Sequence, residues 1–391
     1  MTSFDVAIIG AGAAGSAAAC ALAPGASVAL VDRIEAPGWR IGETLPGAAR
    51  RLLQILGGWD RFAAAGHGPA PLKVSRWGSD SAVELDAMRD PDGAGWRLDR
   101  ARFEADLRAD AHARGAAFVG AGVCALVRTG DGWQLSLDNG AAISACRLID
   151  ASGRRSPLLR RFGQRRLVMD RLACVYQRVP QSGRPDPTTY IEAVPDGWWY
   201  TAMLPDGDRL VAFHADADAA ELRRVLRVGP VTAALDLPGM GEAIGSVDPA
   251  LAAKPSLCAA NGVARSAAGD GWLAAGDSAM ALDPLSSQGL FNALATGLEA
   301  GEATRALLAG ADGATPAYAA RMSRIWQAYL GHHAAYYGLE TRWPDAPFWA
   351  RRTAHEQAPG GVSGRSAHGW FRRSRLAGAP RRARHRPGGR P

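Results

Sequence analysis

Three glycines near the start of the 391-residue chain have the spacing and setting to hold a nucleotide. Gly10-Ala-Gly12-Ala-Ala-Gly15 follows the apolar run Phe4-Asp-Val-Ala-Ile-Ile9 and opens a small-residue segment over 13–23. Gly10 is expected to make the tight turn and Gly12 to let the backbone approach a pyrophosphate. Gly15 then lets a helix pack closely on a strand. The amides of Ala13 and Ala14 open that helix and face the phosphates, where aligned peptide dipoles favour negative charge. Asp32 closes the next apolar run and is placed to accept a hydrogen bond from a ribose hydroxyl, with Arg33 beside it. The fingerprint by itself leaves NAD and FAD open.

A second segment bears on that choice. Leu273-Ala-Ala-Gly276-Asp277-Ser278 reads as a strand ending in Gly-Asp, followed by Asp283-Pro284-Leu-Ser-Ser287-Gln288-Gly289 and a helical run. This pair of segments, in this order, resembles the two FAD motifs of the glutathione-reductase-like flavoprotein superfamily. The resemblance implies FAD, with Gly276 in the turn and Asp277 on the ribityl chain. It puts Pro284 beside the isoalloxazine, and a helix opening at Ser287, Gln288 and Gly289 aimed at the flavin N1–O2 edge, where positive charge stabilises the reduced ring. Two further stretches extend the likeness. Arg40-Ile-Gly42-Glu43-Thr-Leu-Pro46 is similar to the Gly-Glu-Ser/Thr-Leu-Pro segment of flavin-dependent halogenases and related monooxygenases. Trp96-Arg-Leu-Asp-Arg100 is similar to the segment whose arginine reaches the FAD. Leu148-Ile-Asp150-Ala-Ser-Gly153 resembles the form in halogenases and geranylgeranyl reductases rather than that of hydroxylases that bind NADPH themselves. A separate flavin reductase is therefore the expected electron source.

Within this flavoprotein group the resemblance implies one of several chemistries. The halogenases place a catalytic lysine on a strand after the Gly-Glu segment. Lys73 falls in that region, but its neighbours do not match, and a solvated strand lysine is the plainer reading. The pair Trp198-Trp199 departs from the halogenase Trp-x-Trp spacing. A hydroxylase needs only a flavin C4a-hydroperoxide beside an aromatic substrate. Trp77, Trp198, Trp199 and Tyr200 are the expected pocket wall, with Glu43 and Lys73 the candidate catalytic groups. The expectation is a monooxygenase acting on a small aromatic or a peptide, such as an indole or peptidyl tryptophan. Halogenation, a geranylgeranyl-reductase-like reduction and a non-catalytic flavin protein stand as alternatives. His332-His333 has no metal-ligand spacing to an acid, and no metal is expected.

The elements that must position these groups follow from periodicity. A βαβ unit over 4–32 and buried-type strands over 147–150 and 272–275 predict a Rossmann-like domain with a central parallel sheet. Helices are expected over 45–56, 99–114 and 289–308, and strands over 118–123, 132–137 and 142–143. Alternating segments punctuated by Pro and Gly over roughly 165–265 predict a mostly antiparallel substrate domain. The expected division is 1–72, 95–160 and 265–312 for FAD, 73–94 and 161–264 for substrate, and a C-terminal helical segment over 313–350.

Bulk composition, 47% hydrophobic and 21% charged, supports a packed α/β core. The net charge of +7 is misleading as a whole. From Arg351 onward there are eleven arginines and one acid, Glu356, whereas the preceding body carries 34 basic and 37 acidic residues. The basic surplus therefore sits in a 351–391 tail expected to be disordered, and gives no argument for nucleic acid. No apolar stretch long enough for a membrane span is present. Five cysteines without paired spacing suggest a cytoplasmic protein with buried free thiols.

Overall fold

The structure, a computed structural model, describes residues 1–130, 132–181 and 186–353. Its frame is a sheet in which the fingerprint strand Thr2–Ile9 pairs in parallel with Val28–Asp32 on one side and Ala142–Asp150 on the other. Ala117–Gly120 extends the parallel sheet at one edge and Trp272–Ala274 at the other. The order explains the sequence pattern, because central parallel strands are covered on both faces and become continuously apolar. Val6, Ala7 and Ile8 are fully buried.

Helix Ala13–Leu22, rich in alanine, lies against helix Gly289–Leu308. Small side chains make that close approach possible. A Cβ on Gly297 would stand 2.2 Å from the Ala14 carbonyl oxygen, and one on Gly301 2.7 Å from the Ala21 Cβ. The two expected nucleotide segments are thereby locked together at one end of the parallel sheet.

A second sheet of seven strands runs Ser256–Ala259, Leu172–Pro180, Asp208–Asp216, Gly197–Met203, Thr189–Val194, Leu72–Arg76, Val83–Asp86. It is antiparallel throughout except between Thr189–Val194 and Leu72–Arg76. One face packs Val175, Trp199, Phe213 and Tyr190 under the short helices between 220 and 244. The other carries Cys174, Trp198, Ile191 and Ala212, backed by Tyr337, Phe348 and Trp349 from the last two helices.

Several local expectations change. The helix expected over 45–56 begins only at Ala49, because Thr44–Leu45 pairs with Gly95–Arg97 before the Pro46-Gly47 turn. The strand expected over 118–123 is broken into Ala117–Gly120 and Val123–Thr129, where the Gly122 amide donates to the Asp138 carboxylate. Residues 142–143 and 147–150 are one continuous strand. The expected basic tail begins too early. Pro347–Thr353 is helical, with Arg352 buried, and residues 354–391 lie outside the described residues. Cys124 and Cys146 are exposed, contrary to the expectation of buried thiols. Among the described residues no helix is long and apolar enough to cross a membrane.

Candidate active site

A cleft of about 1190 Å³ lies between the two sheets. Of the residues expected to touch flavin, all but Gly15, Gly276 and Gln288 line it. The exceptions have structural work. A Cβ on Gly15 would come 1.8 Å from the Gly10 carbonyl oxygen, and one on Gly276 2.7 Å from the Ala14 Cβ, so both let elements touch. Gly10 is held at φ +102° with the Ala151 backbone against it, a turn closed to side chains.

Beside the glycine fingerprint the Asp32 carboxylate accepts the Ala11 amide at 2.8 Å and the Ile34 amide at 2.9 Å, which fixes its orientation. Sequence reasoning missed Arg108. Its guanidinium donates to the Ala11 carbonyl at 2.7 Å and stands 3.6 Å from Asp32. Arg100, Glu104 and Arg108 recur every four residues on helix Arg100–Ala113, so one face of that helix supplies all three. Burial pushes the Glu104 carboxyl up, but Arg100 and Arg40 outweigh it and hold the group below its ordinary value. Arg100 itself donates to the Ile41 and Gly42 carbonyls, so it braces the 40–43 loop. Arg40 remains half-exposed at the cleft, facing Gly12.

Around the second segment the Asp150 carboxylate accepts from the Ser152 amide and from the hydroxyls of Ser152, Ser156 and Ser278. It is a buried tie between the end of its strand and the Gly276-Asp277 turn. Arg154, also missed in the sequence, reaches toward Asp277 at 3.9 Å and the Asn261 carbonyl. Asp283 caps the turn by accepting the Leu285 amide and also accepts the Tyr337 hydroxyl at 2.9 Å, with His333 Nε2 standing 3.4 Å away. Burial pushes its carboxyl up, yet these partners keep it below the ordinary carboxylate range. Asp170 completes this group with His333, but Arg352 lies 3.3 Å from it. Ser287 adopts φ +52°, a left-handed turn for a non-glycine residue, which delivers the backbone to helix Gly289–Leu308 at the cleft edge.

The far end of the cleft is walled by the antiparallel sheet. Tyr200 and Trp198 line it, whereas Trp199, one residue between them, packs on Phe213 on the opposite face. Trp77 is core as well: it contacts Trp198, Tyr336, Tyr337 and Trp349, and its indole N–H donates to the Tyr336 carbonyl. Both were expected in the pocket, and strand alternation removes Trp199 from it. The Tyr200 hydroxyl donates to the buried Glu43 carboxylate and accepts from Arg97 at 2.7 Å. Arg97 also reaches Thr44 and Thr189 and lies 3.5 Å from Glu43. Lys73 stands opposite Thr189 in register beside this network, half-buried, and does not line the cleft. Burial first, then the Arg97 charge, push its ammonium down to about 8.

His214, unrecognised in the sequence, stacks on Trp198 with ring centroids 3.6 Å apart and planes within 5°. Burial pushes the imidazole down to about 3, so it is held neutral. As pH falls through 6.5 the unfolded chain gains a proton that the folded chain refuses until about pH 3. Stability should therefore decline with falling pH across that window, with a contribution approaching about 1.4 kcal/mol per pH unit. Urea unfolding of wild type and His214→Gln between pH 5 and 6.5, above the range of ordinary carboxylates, checks this. The variant should show the shallower slope, and equal slopes would refute the assignment.

The site's geometry suits FAD. The open glycine turn, the Asp32 carboxylate, Arg40, Arg100 and Arg108, and the N-terminus of helix Gly289–Leu308 all line this one cleft. The sequence matches the tryptophan halogenase family over residues 83–366, well over half of the chain. The chain belongs to the tryptophan halogenase family. It is also 30% identical over 368 residues to the FAD-dependent oxidoreductase LodB of Marinomonas mediterranea, covering 90% of this chain and 98% of LodB. The fold is similar to the myxobacterial chondrochloren halogenase CndH, with a TM-score of 0.79 at 23% identity, covering 90% of this chain and 86% of CndH. The peptidyl tryptophan dihydroxylase QhpG aligns with a TM-score of 0.71 at 26% identity, over 90% of this chain and 79% of QhpG. This family member is accordingly an FAD-dependent oxidoreductase, with the monooxygenase-type fold of the halogenases.

Proposed function

We propose that the chain is an FAD-dependent monooxygenase that hydroxylates an aromatic side chain, with a tryptophan presented on a peptide as the substrate class. The observation that carries hydroxylation is the lining of the cleft, which contains no lysine among the described residues. A halogenase route needs an amine between flavin and substrate. A hydroxylase needs only an aromatic ring held in a dry pocket beside the flavin. The peptide substrate is supported by the likeness to QhpG, whose activity is essential for tryptophylquinone cofactor biogenesis.

The chemistry supplied by bound FAD is reductive activation of dioxygen. The chain's own residues do the rest. Gly10, Gly12, Asp32 and Arg40 hold the nucleotide, and the N-terminus of Gly289–Leu308 offers partial positive charge at the flavin edge. Trp198 and Tyr200 form the aromatic wall against which an indole packs. Glu43 accepts a hydrogen bond from the Tyr200 hydroxyl, whose oxygen is also fixed by Arg97. Burial, opposed by Arg97 and reinforced by Glu43, pushes that phenol well up, so Tyr200 stays a neutral orienting group. His214 is neutral too, so the ring stacked on Trp198 adds no charge of its own. With Asp150 saturated by serines, no free carboxylate at that position offers a nicotinamide nucleotide a handle. A separate reductase supplying reduced flavin fits this arrangement.

Halogenation is the second reading, favoured by Lys73, whose ammonium is depressed enough to be partly neutral near pH 8. Lys73→Ala separates the two. With reduced FAD, oxygen, chloride and a tryptophan-containing peptide, wild type and variant should both give oxygenated product by mass analysis. A chlorine isotope pair from wild type that vanishes in the variant would overturn the proposal in favour of halogenation.

A further inference from the structure

Cys174 and Cys258 face each other across neighbouring antiparallel strands and both line the cleft. Two residues along, the Ala260 amide donates to the Leu172 carbonyl at 2.9 Å. Antiparallel pairs alternate, so Cys174 and Cys258 also occupy a hydrogen-bonded position, with Cα atoms about 5.5 Å apart. That lies inside the roughly 4.4–6.8 Å a disulfide spans. The remaining cysteines have no such partner position: Cys20 is buried within helix Ala13–Leu22, while Cys124 and Cys146 are exposed. The pair shares its sheet row with His214 and Trp198, on the wall of the oxygen-activating cleft.

We propose that Cys174 and Cys258 are a dithiol oxidised to a cross-strand disulfide by hydrogen peroxide released in the cleft. Reduced flavin that meets dioxygen without substrate yields peroxide, so the oxidant arises beside the pair. The asymmetry of the two thiols assigns the order. The Cys174 thiol donates to the Cys258 sulfur, and that bond, together with the Arg154 charge, holds Cys258 below the ordinary thiol value against the effect of burial. Burial first, then the same bond, keeps Cys174 protonated well above it. The Cys258 thiolate attacks one peroxide oxygen, the O–O bond breaks, and hydroxide leaves, giving a sulfenic acid. Cys174 then attacks the Cys258 sulfur, the S–O bond breaks and a second hydroxide leaves. The two thiol protons convert both hydroxides to water. Two thiols are oxidised by two electrons and one peroxide is reduced to two waters. A dithiol reductant restores the pair.

The test uses the FAD-loaded full chain, treated with a small molar excess of hydrogen peroxide, quenched with an alkylating agent and mapped by mass spectrometry. Two of the five thiols should disappear. The peptides containing Cys174 and Cys258 should be joined, with a mass two hydrogens below their sum, before Cys124 or Cys146 reacts. Dithiothreitol should reverse the change. In Cys258→Ser, Cys174 should remain alkylatable at the same dose. Persistence of all five thiols, over-oxidation of Cys258 with Cys174 still free, or equal oxidation of Cys174 in the Cys258→Ser chain would each overturn the proposal. Flavin absorbance during the same titration shows that the cofactor stays bound, so the thiol readout does not depend on turnover.

Discussion

A Gly12→Val chain should purify folded and colourless. Gly12 has an extended backbone, φ −75° and ψ −171°, which valine adopts without strain. A Cβ there would meet only the Arg40 guanidinium, at 3.5 Å, and that flexible group has room to move. The protein interior is therefore indifferent to the substitution. The cleft is not, because the two methyl groups would stand over the amides that open helix Ala13–Leu22, where a pyrophosphate must lie against the backbone. Displacing it should weaken FAD binding at least about a thousandfold, or about 4 kcal/mol. Gly15→Val makes the contrast: its Cβ would overlap the Gly10 carbonyl, so that chain should lose stability along with flavin. Visible flavin absorbance and circular dichroism on the same preparations separate the effects. Full yellow occupancy in Gly12→Val would refute the assignment.

The difference between those glycines was legible in the sequence because the fingerprint is local. Strand, turn, helix and closing acid lie within about thirty residues, and each has a backbone reason for its residue type. The same holds for Gly289–Leu308, whose ends match the expected helix, and for the buried strand at Trp272. What escaped was assembled from distance. His214, Cys174 and Cys258 sit on three neighbouring strands and meet only through register. Arg154 reaches across from the end of the Ala142–Asp150 strand. Two misses carried a readable signal. The four-residue spacing of Arg100, Glu104 and Arg108 marks one helix face, and period-two alternation separates Trp199 from Trp198 and Tyr200. The basic tail misled for a different reason. Composition averaged over 351–391 hid the fact that its first residues still belong to a packed helix.

Arg352 shows what that helix does, and replacing it should cost more than removing everything after it. Its guanidinium is buried, 2.8 Å from Asp216 and 3.3 Å from Asp170, and lies 3.7 Å from the centroid of the Phe348 ring. It also donates to the Phe348 carbonyl. Arg352→Ala leaves Asp170 without its guanidinium and Asp216 with only the half-exposed Arg351. Removing one partner from a buried ion pair typically costs about 3–5 kcal/mol, because the remaining charge stays desolvated. Arg351→Ala, which touches the same Asp216 from the solvent side, should cost no more than about 1 kcal/mol. A chain ending at Thr353 should keep both wild-type stability and FAD. The link to function runs through packing: Phe348 and Trp349 press on Tyr337 and Trp77, which in turn back the Trp198 wall of the pocket. Loosening the arginine should therefore weaken the hold on substrate even where flavin remains bound, raising KM before kcat falls. Denaturant unfolding of the three chains orders the costs, and an Arg352→Ala chain within about 1 kcal/mol of wild type would show that the last helix is held by its aromatic residues alone.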